Sequence, residues 1–281
     1  MNPTVAIVAQ GAMGAGIGGR LVERGLRVVT SLAGRSAASA KRAADAGMIA
    51  APDAEVARAD FFLSIVPPGD ALALAEKMAG LIAPNNKKPI YVDCNAVSPP
   101  TKVKIGNAVM KAGAPFVDVA ILGLPPKPGA DGPAMIASGP DTGQFVPLGE
   151  FGLKIRTIEG PVGAASALKM SYAGITKGFS ALTSMMLLAA MRAGIEKELR
   201  KELERSHPAF VATFTRAIPD MFGKAYRFVA EMEEIADFVG EDAAARQMYL
   251  AFADFYERMA ADVAGAKDES GALAKFLDTK S

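Results

Sequence analysis

The chain has 281 residues, 51% of them hydrophobic, a formal net charge of +1, one cysteine and one histidine. That length and apolar content suffice for one large core or two moderate ones. The near-neutral charge points away from nucleic acid and from anionic membrane surfaces. Cys94 and His207 exclude an intrachain disulfide and leave a His/Cys metal site without enough ligands.

The first residues, Met1-Asn2-Pro3-Thr4, carry no basic region before an apolar core. The most membrane-like run, Phe179 to Met191, is shorter than the roughly 20 apolar residues that a bilayer requires. A soluble, cytoplasmic protein is therefore expected.

Thr4 to Ala9 is a short run rich in valine and isoleucine, the mark of a buried parallel strand. A glycine turn follows, Ala9-Gln10-Gly11-Ala12-Met13-Gly14, and then a helical pattern with Ile17, Leu21 and Val22 on one face. Strand, glycine turn and helix form the context of a dinucleotide fingerprint. Gly11 and Gly14 fill its second and third glycine places, and Ala9 occupies the first. By itself this degenerate motif also fits an ordinary strand-to-helix turn.

Val28 to Leu32 reads as a second strand, and Ser36 as the cap of a helix ending near Gly47. Strand and helix then alternate through ADFFLSIVPPGDALALAEKMAGLI, KPIYVDCNAVSPPTKVKIGNAVMKAG and APFVDVAILG. The runs GPAMIASGP and LKIRTIEGP read as final strands. The alternation predicts a Rossmann-type, doubly wound parallel sheet over 1–160. From Gly163 to Arg192 runs a long apolar helix, and only helical patterns follow. An all-α domain over 161–281, with 161–192 as its linking helix, is expected, ending after Ala266 in a short helix and a frayed end.

In an open parallel sheet, ligands bind beyond the carboxyl ends of the strands. Gly11, Ala12, Met13, Gly14, Val66, Pro67 and Asn95 fall there and are expected to line a cofactor site. NAD binders usually place an acid at the end of the second strand, whereas here no acid lies between Glu23 and Asp45. Arg35 and Ser36 stand there instead and suit a 2′-phosphate, so NADP is the expected cofactor. The same pair also reads as a surface arginine beside a helix cap.

Lys169, Ala173, Thr176 and Ser180 share one face of the long helix, flanked by Tyr172 and Lys177. Such a stripe reads either as a solvated face or as a cleft where Lys169 serves as general acid or base. Gly174 and Gly178, four residues apart, read as a site of close helix packing. Ser206 reads as a helix cap with His207 exposed after it, and Cys94 as a small, inert, buried thiol.

With these residues in view, the chain resembles the 3-hydroxyisobutyrate and 6-phosphogluconate dehydrogenase superfamily, the β-hydroxyacid dehydrogenases. The resemblance covers about two thirds of the chain. Met13-Gly14 match the end of the family's glycine motif. Asp93-Cys94-Asn95-Ala96-Val97-Ser98-Pro99 align with its aspartate-x-serine-threonine-x-x-proline motif. Lys169, after Gly160-Pro161-Val162-Gly163, aligns with the family's catalytic lysine. The resemblance implies a Rossmann-type fold, a nicotinamide cofactor, hydride transfer with Lys169 as acid/base, and a homodimer.

The sequence also departs from the family. The substrate loop reads Asp118-Val119-Ala120-Ile121-Leu122-Gly123-Leu124, with leucines where a serine and a glycine would embrace a carboxylate. Tyr172-Ala173 replace an asparagine pair. Leu122, Gly123, Leu124, Tyr172, Ala173 and Lys177 are the expected substrate-binding residues. The pattern resembles a branch whose distinct helical domain has no assigned function. The expectation is an NADP-dependent oxidoreductase acting on a small hydroxy or keto compound. An imine reductase, or an NADP-binding sensor or scaffold without turnover, remains an alternative.

Overall fold

The computed structural model describes residues 2–126 and 132–278, which divide into two compact units, Met1–Lys169 and Met170–Ser281. The first opens with β1 (Thr4–Val8), α1 (Ala12–Glu23), β2 (Arg27–Thr30), α2 (Ala37–Asp45), β3 (Ile49–Ala50) and α3 (Asp53–Val56). It continues with β4 (Phe61–Ser64), α4 (Ala71–Ile82), β5 (Ile90–Asp93), α5 (Pro99–Lys111) and β6 (Phe116–Leu122). Then come β7 (Ala134–Ser138), α6 (Thr142–Phe145), β8 (Lys154–Thr157) and the start of the long helix α7 (Ala164–Arg192).

The strands form one eight-stranded sheet in the order β3-β2-β1-β4-β5-β6-β7-β8. From β3 to β6 every pairing is parallel, with Ile7 beside Leu63 and Leu63 beside Val92. Alternate residues of one strand feed opposite cores, the period-two consequence of the pleat. Val5 and Ile7 join Ile17 and Leu21 of α1 on one face. Ala6 and Val8 join Met78 and Ile82 of α4 and Ile105 and Val109 of α5 on the other. Both faces are covered by helices, as the near-continuous apolar strands require.

One feature corrects the expected all-parallel sheet: β7 runs antiparallel to β6, and β8 runs parallel to β7. The link from β6 to β7 is shorter than the dozen or so residues a crossover needs, so the chain turns back on its neighbour. Ser36 caps α2 as expected, its hydroxyl accepting the Ser39 N–H at 3.3 Å.

The second unit takes most of α7, then α8 (Glu196–Ser206), α9 (Pro208–Phe222), α10 (Ala225–Phe238), α11 (Ala243–Ala264) and α12 (Asp268–Leu277). Leu187, Leu188, Phe214, Ile218, Met232, Ile235, Phe252, Tyr256, Met259 and Leu273 form its core. Gly174 and Gly178 face α11 at close quarters. A Cβ at Gly174 would lie 2.7 Å from the Tyr249 hydroxyl, and one at Gly178 would lie 3.1 Å from the Phe252 ring. The Tyr256 hydroxyl donates to the Lys177 carbonyl at 2.7 Å and binds the two helices further.

Three expectations need adjustment. The unit boundary falls inside α7 rather than at Gly160, because the first turn of α7 is hydrogen-bonded to β6. Ser206 is the last residue of α8, not a cap. Its hydroxyl donates to the Glu202 carbonyl, and Pro208 takes the first position of α9, where its missing N–H costs nothing. Finally, α7 as a whole is long and apolar enough to cross a membrane by length and composition, unlike the shorter run read from sequence. Its buried side chains Met170, Ala181, Leu187 and Leu188 nevertheless belong to the core of the second unit. The expected frayed end at residues 279–281 lies outside the described residues.

Candidate active site

The glycine turn closes β1 and opens α1. Gly11 is the N-cap of α1, and no side chain caps that helix. The first-turn N–H groups of a helix have no intrahelical partner and carry the positive end of its dipole, so they suit an anion. A Cβ at Gly11 would meet nothing within 4 Å, so the chain itself does not demand glycine there. Gly14 differs: a Cβ there would stand 1.9 Å from the Ala9 carbonyl oxygen, so helix and strand pack against its bare α-carbon. The turn thus fits a dinucleotide pyrophosphate by its own geometry.

Arg35 and Ser36 follow β2. Arg35 is half-buried, and its guanidinium makes no hydrogen bond or ion pair among the described residues. Sequence reasoning missed Arg42, on α2. Its Nε donates to the Gln10 carbonyl at 2.8 Å and its guanidinium to the Ser39 hydroxyl at 3.0 Å. It ties the glycine turn to the helix that begins at Ser36. Gln10, fully buried, adds a second tie through Thr30 and the Ser31 carbonyl. The signal in the sequence was the spacing of Ser39 and Arg42, three apart on one face.

At the end of β4, Val66 is buried and Pro67 exposed. Asn95, after β5, is 2% exposed, and its side chain is committed. Its amide oxygen accepts the Val66 N–H at 2.7 Å, and its amide nitrogen donates to Ser64 Oγ at 2.8 Å and Asp93 Oδ2 at 2.7 Å. It therefore holds the ends of β4 and β5 together. At the end of β6, Leu122 is half-buried while Gly123 and Leu124 are exposed, Leu124 at 70%.

Beneath these strand ends lies a charged cluster that sequence reasoning also missed. Lys102, Asp93 and Asp118 are all fully buried. Lys102 Nζ donates to Asp93 Oδ1, to the Asp93 carbonyl at 2.7 Å, and lies 3.3 Å from Asp118 Oδ1. Both hydrogen bonds go to Asp93, and Asp118 faces the same ammonium as an ion pair. Burial opposes the charge on Lys102, but Asp93 and Asp118 more than offset it and raise its pKa above the ordinary lysine value. Asp118 in turn accepts the Gly163 N–H at 2.9 Å, the Ser166 N–H at 3.2 Å, the Ser166 hydroxyl at 3.1 Å and the Ser138 hydroxyl at 3.2 Å. One carboxylate from β6 therefore holds the first turn of α7. The sequence did carry a trace of this cluster: Lys102 shares the buried face of α5 with Ile105, Gly106 and Val109.

Lys169 stands on α7 three residues beyond Ser166. It is half-buried, and its ammonium makes no hydrogen bond or ion pair among the described residues. Burial, and then the Lys102 cation, push its pKa down to about 8, while Cys94 and Asp118 act in the opposite direction. Cys94 is buried and unpaired, and burial pushes its thiol far above its usual range, as expected of an inert residue. In the second unit, Tyr172 is 57% exposed and Ala173 is half-buried. Lys177 is ion-paired with Glu231, and its ammonium sits 4.4 Å from the centre of the Phe228 ring.

The family model for the NAD binding domain of 6-phosphogluconate dehydrogenase matches residues 4–144. The chain belongs to this family. A domain of unknown function, DUF1932, matches residues 190–259, the distinct helical region. An uncharacterised 28.5 kDa protein from the 7S RNA 5′ region of Methanothermus fervidus is 32% identical over 217 residues, 76% of this chain and 82% of that protein. A conserved protein of unknown function, described as structurally similar to 3-hydroxyacid dehydrogenases, is 31% identical with a TM-score of 0.79. The match covers 96% of this chain and 98% of that one. Mycobacterium tuberculosis 3-hydroxyisobutyrate dehydrogenase, solved with L-serine, shares the fold at 18% identity and a TM-score of 0.75, covering 98% and 99% of the two chains. The amino-terminal unit is thus a nicotinamide-dinucleotide-binding domain of the dehydrogenase type, in the divergent branch that carries the DUF1932 helices.

Proposed function

We propose that this protein is an NADP-dependent oxidoreductase that interconverts a small hydroxy compound and its ketone or aldehyde, with Lys169 as the general acid/base. The observation that carries the reading is a half-buried, unpartnered lysine with its pKa pushed down to about 8, one helix turn beyond the Ser166 that Asp118 of β6 holds. A positioned acid with a pKa near the working pH is well suited to proton transfer in the transition state.

Gly11 to Gly14 would hold the pyrophosphate on the open N-terminus of α1, and Arg35 and Ser36 would receive the 2′-phosphate. The cofactor, when bound, would supply or accept the hydride. In the reductive direction the Lys169 ammonium would donate a proton to the carbonyl oxygen. In the oxidative direction the neutral amine removes that proton from the alcohol. Leu122 and Leu124 favour a substrate with an apolar side over one anchored by a carboxylate.

The test is to incubate the protein with NADPH and mixtures of carbonyl compounds and imines, following absorbance. Turnover of carbonyls is expected, and Lys169→Met should lower it by roughly 10²–10⁴-fold with NADPH affinity nearly unchanged. Turnover of imines alone would reassign the substrate class. NADPH binding with no turnover would favour a sensor or scaffold. Arg35→Ala should weaken NADPH by roughly 10–100-fold, the loss of one charge-assisted contact, and leave NADH almost unaffected. Equal losses for the two cofactors would remove the assignment to NADP.

A further inference from the structure

Three charged groups from three elements form one buried cluster whose Asp118 holds the start of α7, and the acid/base reading of Lys169 uses none of them. Lys102 comes from α5, Asp93 from the end of β5 and Asp118 from β6. All three are completely buried. A buried ion cluster of this kind is seldom the most stable filling for its space, because apolar residues of similar volume often do as well or better. Its geometry suggests another use. Asp118 has its two oxygens committed to Gly163, Ser138, Ser166 and Lys102, so its position is fixed from both sides. Gly163 and Ser166 belong to the turn that opens α7, and Lys169 follows Ser166 by one turn on the same helix face.

We propose that Lys102 is a positioning residue for Lys169: its buried ammonium, clamped between Asp93 and Asp118, fixes the carboxylate that holds the first turn of α7, and so sets both the place of Lys169 on that helix and the charge of the cluster beneath it. The inference rests on the reading of Lys169 as acid/base, but the coupling between the two lysines can be read without turnover. Lys102 stays protonated wherever Lys169 titrates, because its two carboxylates raise its pKa. It therefore disfavours the charged form of Lys169 at every working pH. The other groups acting on Lys169, Cys94 and Asp118, act in the opposite direction. Removal of the Lys102 charge leaves burial alone to depress Lys169.

The experiment uses the full chain without cofactor. Its lysines are reductively methylated with carbon-13, the Lys169 signal is assigned by its loss in Lys169→Met, and its titration is followed by NMR. The wild-type midpoint is expected at about 8. The paired variant Lys102→Met/Asp93→Asn removes both charges of the closest pair and leaves Asp118 held by its hydrogen bonds from Gly163, Ser138 and Ser166. Its Lys169 midpoint should rise by about one pH unit, the size typical of a nearby charge. Lys102→Arg keeps the charge and should hold the midpoint near the wild-type value. A folded paired variant with an unmoved midpoint would overturn the proposal, and so would a wild-type midpoint near the ordinary lysine value of about 10.4. If the paired variant does not fold, Lys102→Gln serves in its place. It can still hydrogen-bond both carboxylates, and the same upward shift is expected. Undiminished turnover in Lys169→Met would defeat the acid/base reading by itself, while the titration still decides whether the two lysines are coupled.

Discussion

At the scale of single residues, the site is a contrast between two lysines. Lys102 is hydrogen-bonded to Asp93 and ion-paired with Asp118, and Lys169 has no partner among the described residues. The sequence showed Lys169 because it interrupts an apolar helix and sits where the family keeps its acid/base. It hid Lys102, because TKVKIGN reads like any solvated helix face and only the positions of Ile105 and Val109 mark which lysine turns inward. The depressed pKa of Lys169 has a pH signature whose sign depends on direction. Carbonyl reduction needs the ammonium, so its rate should be full below about 8 and fall as pH rises through that value. Alcohol oxidation needs the free amine and should rise across the same window. Between pH 7 and 9 the protonated fraction of a group with pKa about 8 drops roughly tenfold, and the reductive rate should follow it. Initial rates in both directions across this range check the point. Parallel profiles for the two directions would mean that some other group carries the proton.

At the scale of elements, the sequence was most informative where periodicity alone decides. The long helix was expected from Gly163 to Arg192, and α7 spans Ala164–Arg192. Gly163, with a positive φ that a helix does not adopt, precedes its start, and Gly194 follows its end. The direction of β7 was not legible, because an apolar run such as AMIAS says strand without saying parallel or antiparallel. That choice was made by the length of the link before it. The pair Gly174 and Gly178 was legible as a close-packing site, although the partner helix was not. It is α11, through Tyr249 and Phe252. Gly178→Val would press a branched side chain into the Phe252 ring, already 3.1 Å from a single added carbon. Overpacking of this kind typically costs about 1–3 kcal/mol, offset in part by the better helix propensity of a residue with a side chain. The variant should melt several degrees below the wild type in a thermal scan, and an unchanged midpoint would show that the helices separate without strain. Gly80 on α4, where an added carbon meets nothing, supplies the control: Gly80→Ala should hold or raise the midpoint.

At the scale of the whole molecule, one surface remains to be explained. Leu168, Tyr172, Ile175, Leu182 and Met186 on α7 are exposed at 41%, 57%, 72%, 52% and 58%, and Phe179 lies half-buried among them. Their spacing is four, three, four, three, four, the repeat by which one helix meets another along a seam. The family resemblance implies a homodimer, and the methionines at 185–191 and 248–259 are apolar candidates for its interface. Several of these, Met185, Met191 and Met259 among them, pack within the second unit instead. The exposed seam is therefore the better basis for the proposal that two copies pair, α7 against α7, about a two-fold axis, the commonest arrangement among oligomers. A lipid surface is the rival occupant, since α7 would suit a bilayer by length and composition. A seam one residue wide, on a helix whose remaining apolar side chains are packed in a core, matches another helix better than the all-round apolar surface that lipid requires. Sedimentation of the full chain at micromolar concentration should give twice the chain mass. Ile175→Glu/Leu182→Glu should give a monomer of unchanged helicity, because both side chains already face outward. A wild-type monomer, or cosedimentation with phosphatidylcholine vesicles that the double variant abolishes, would reject the dimer.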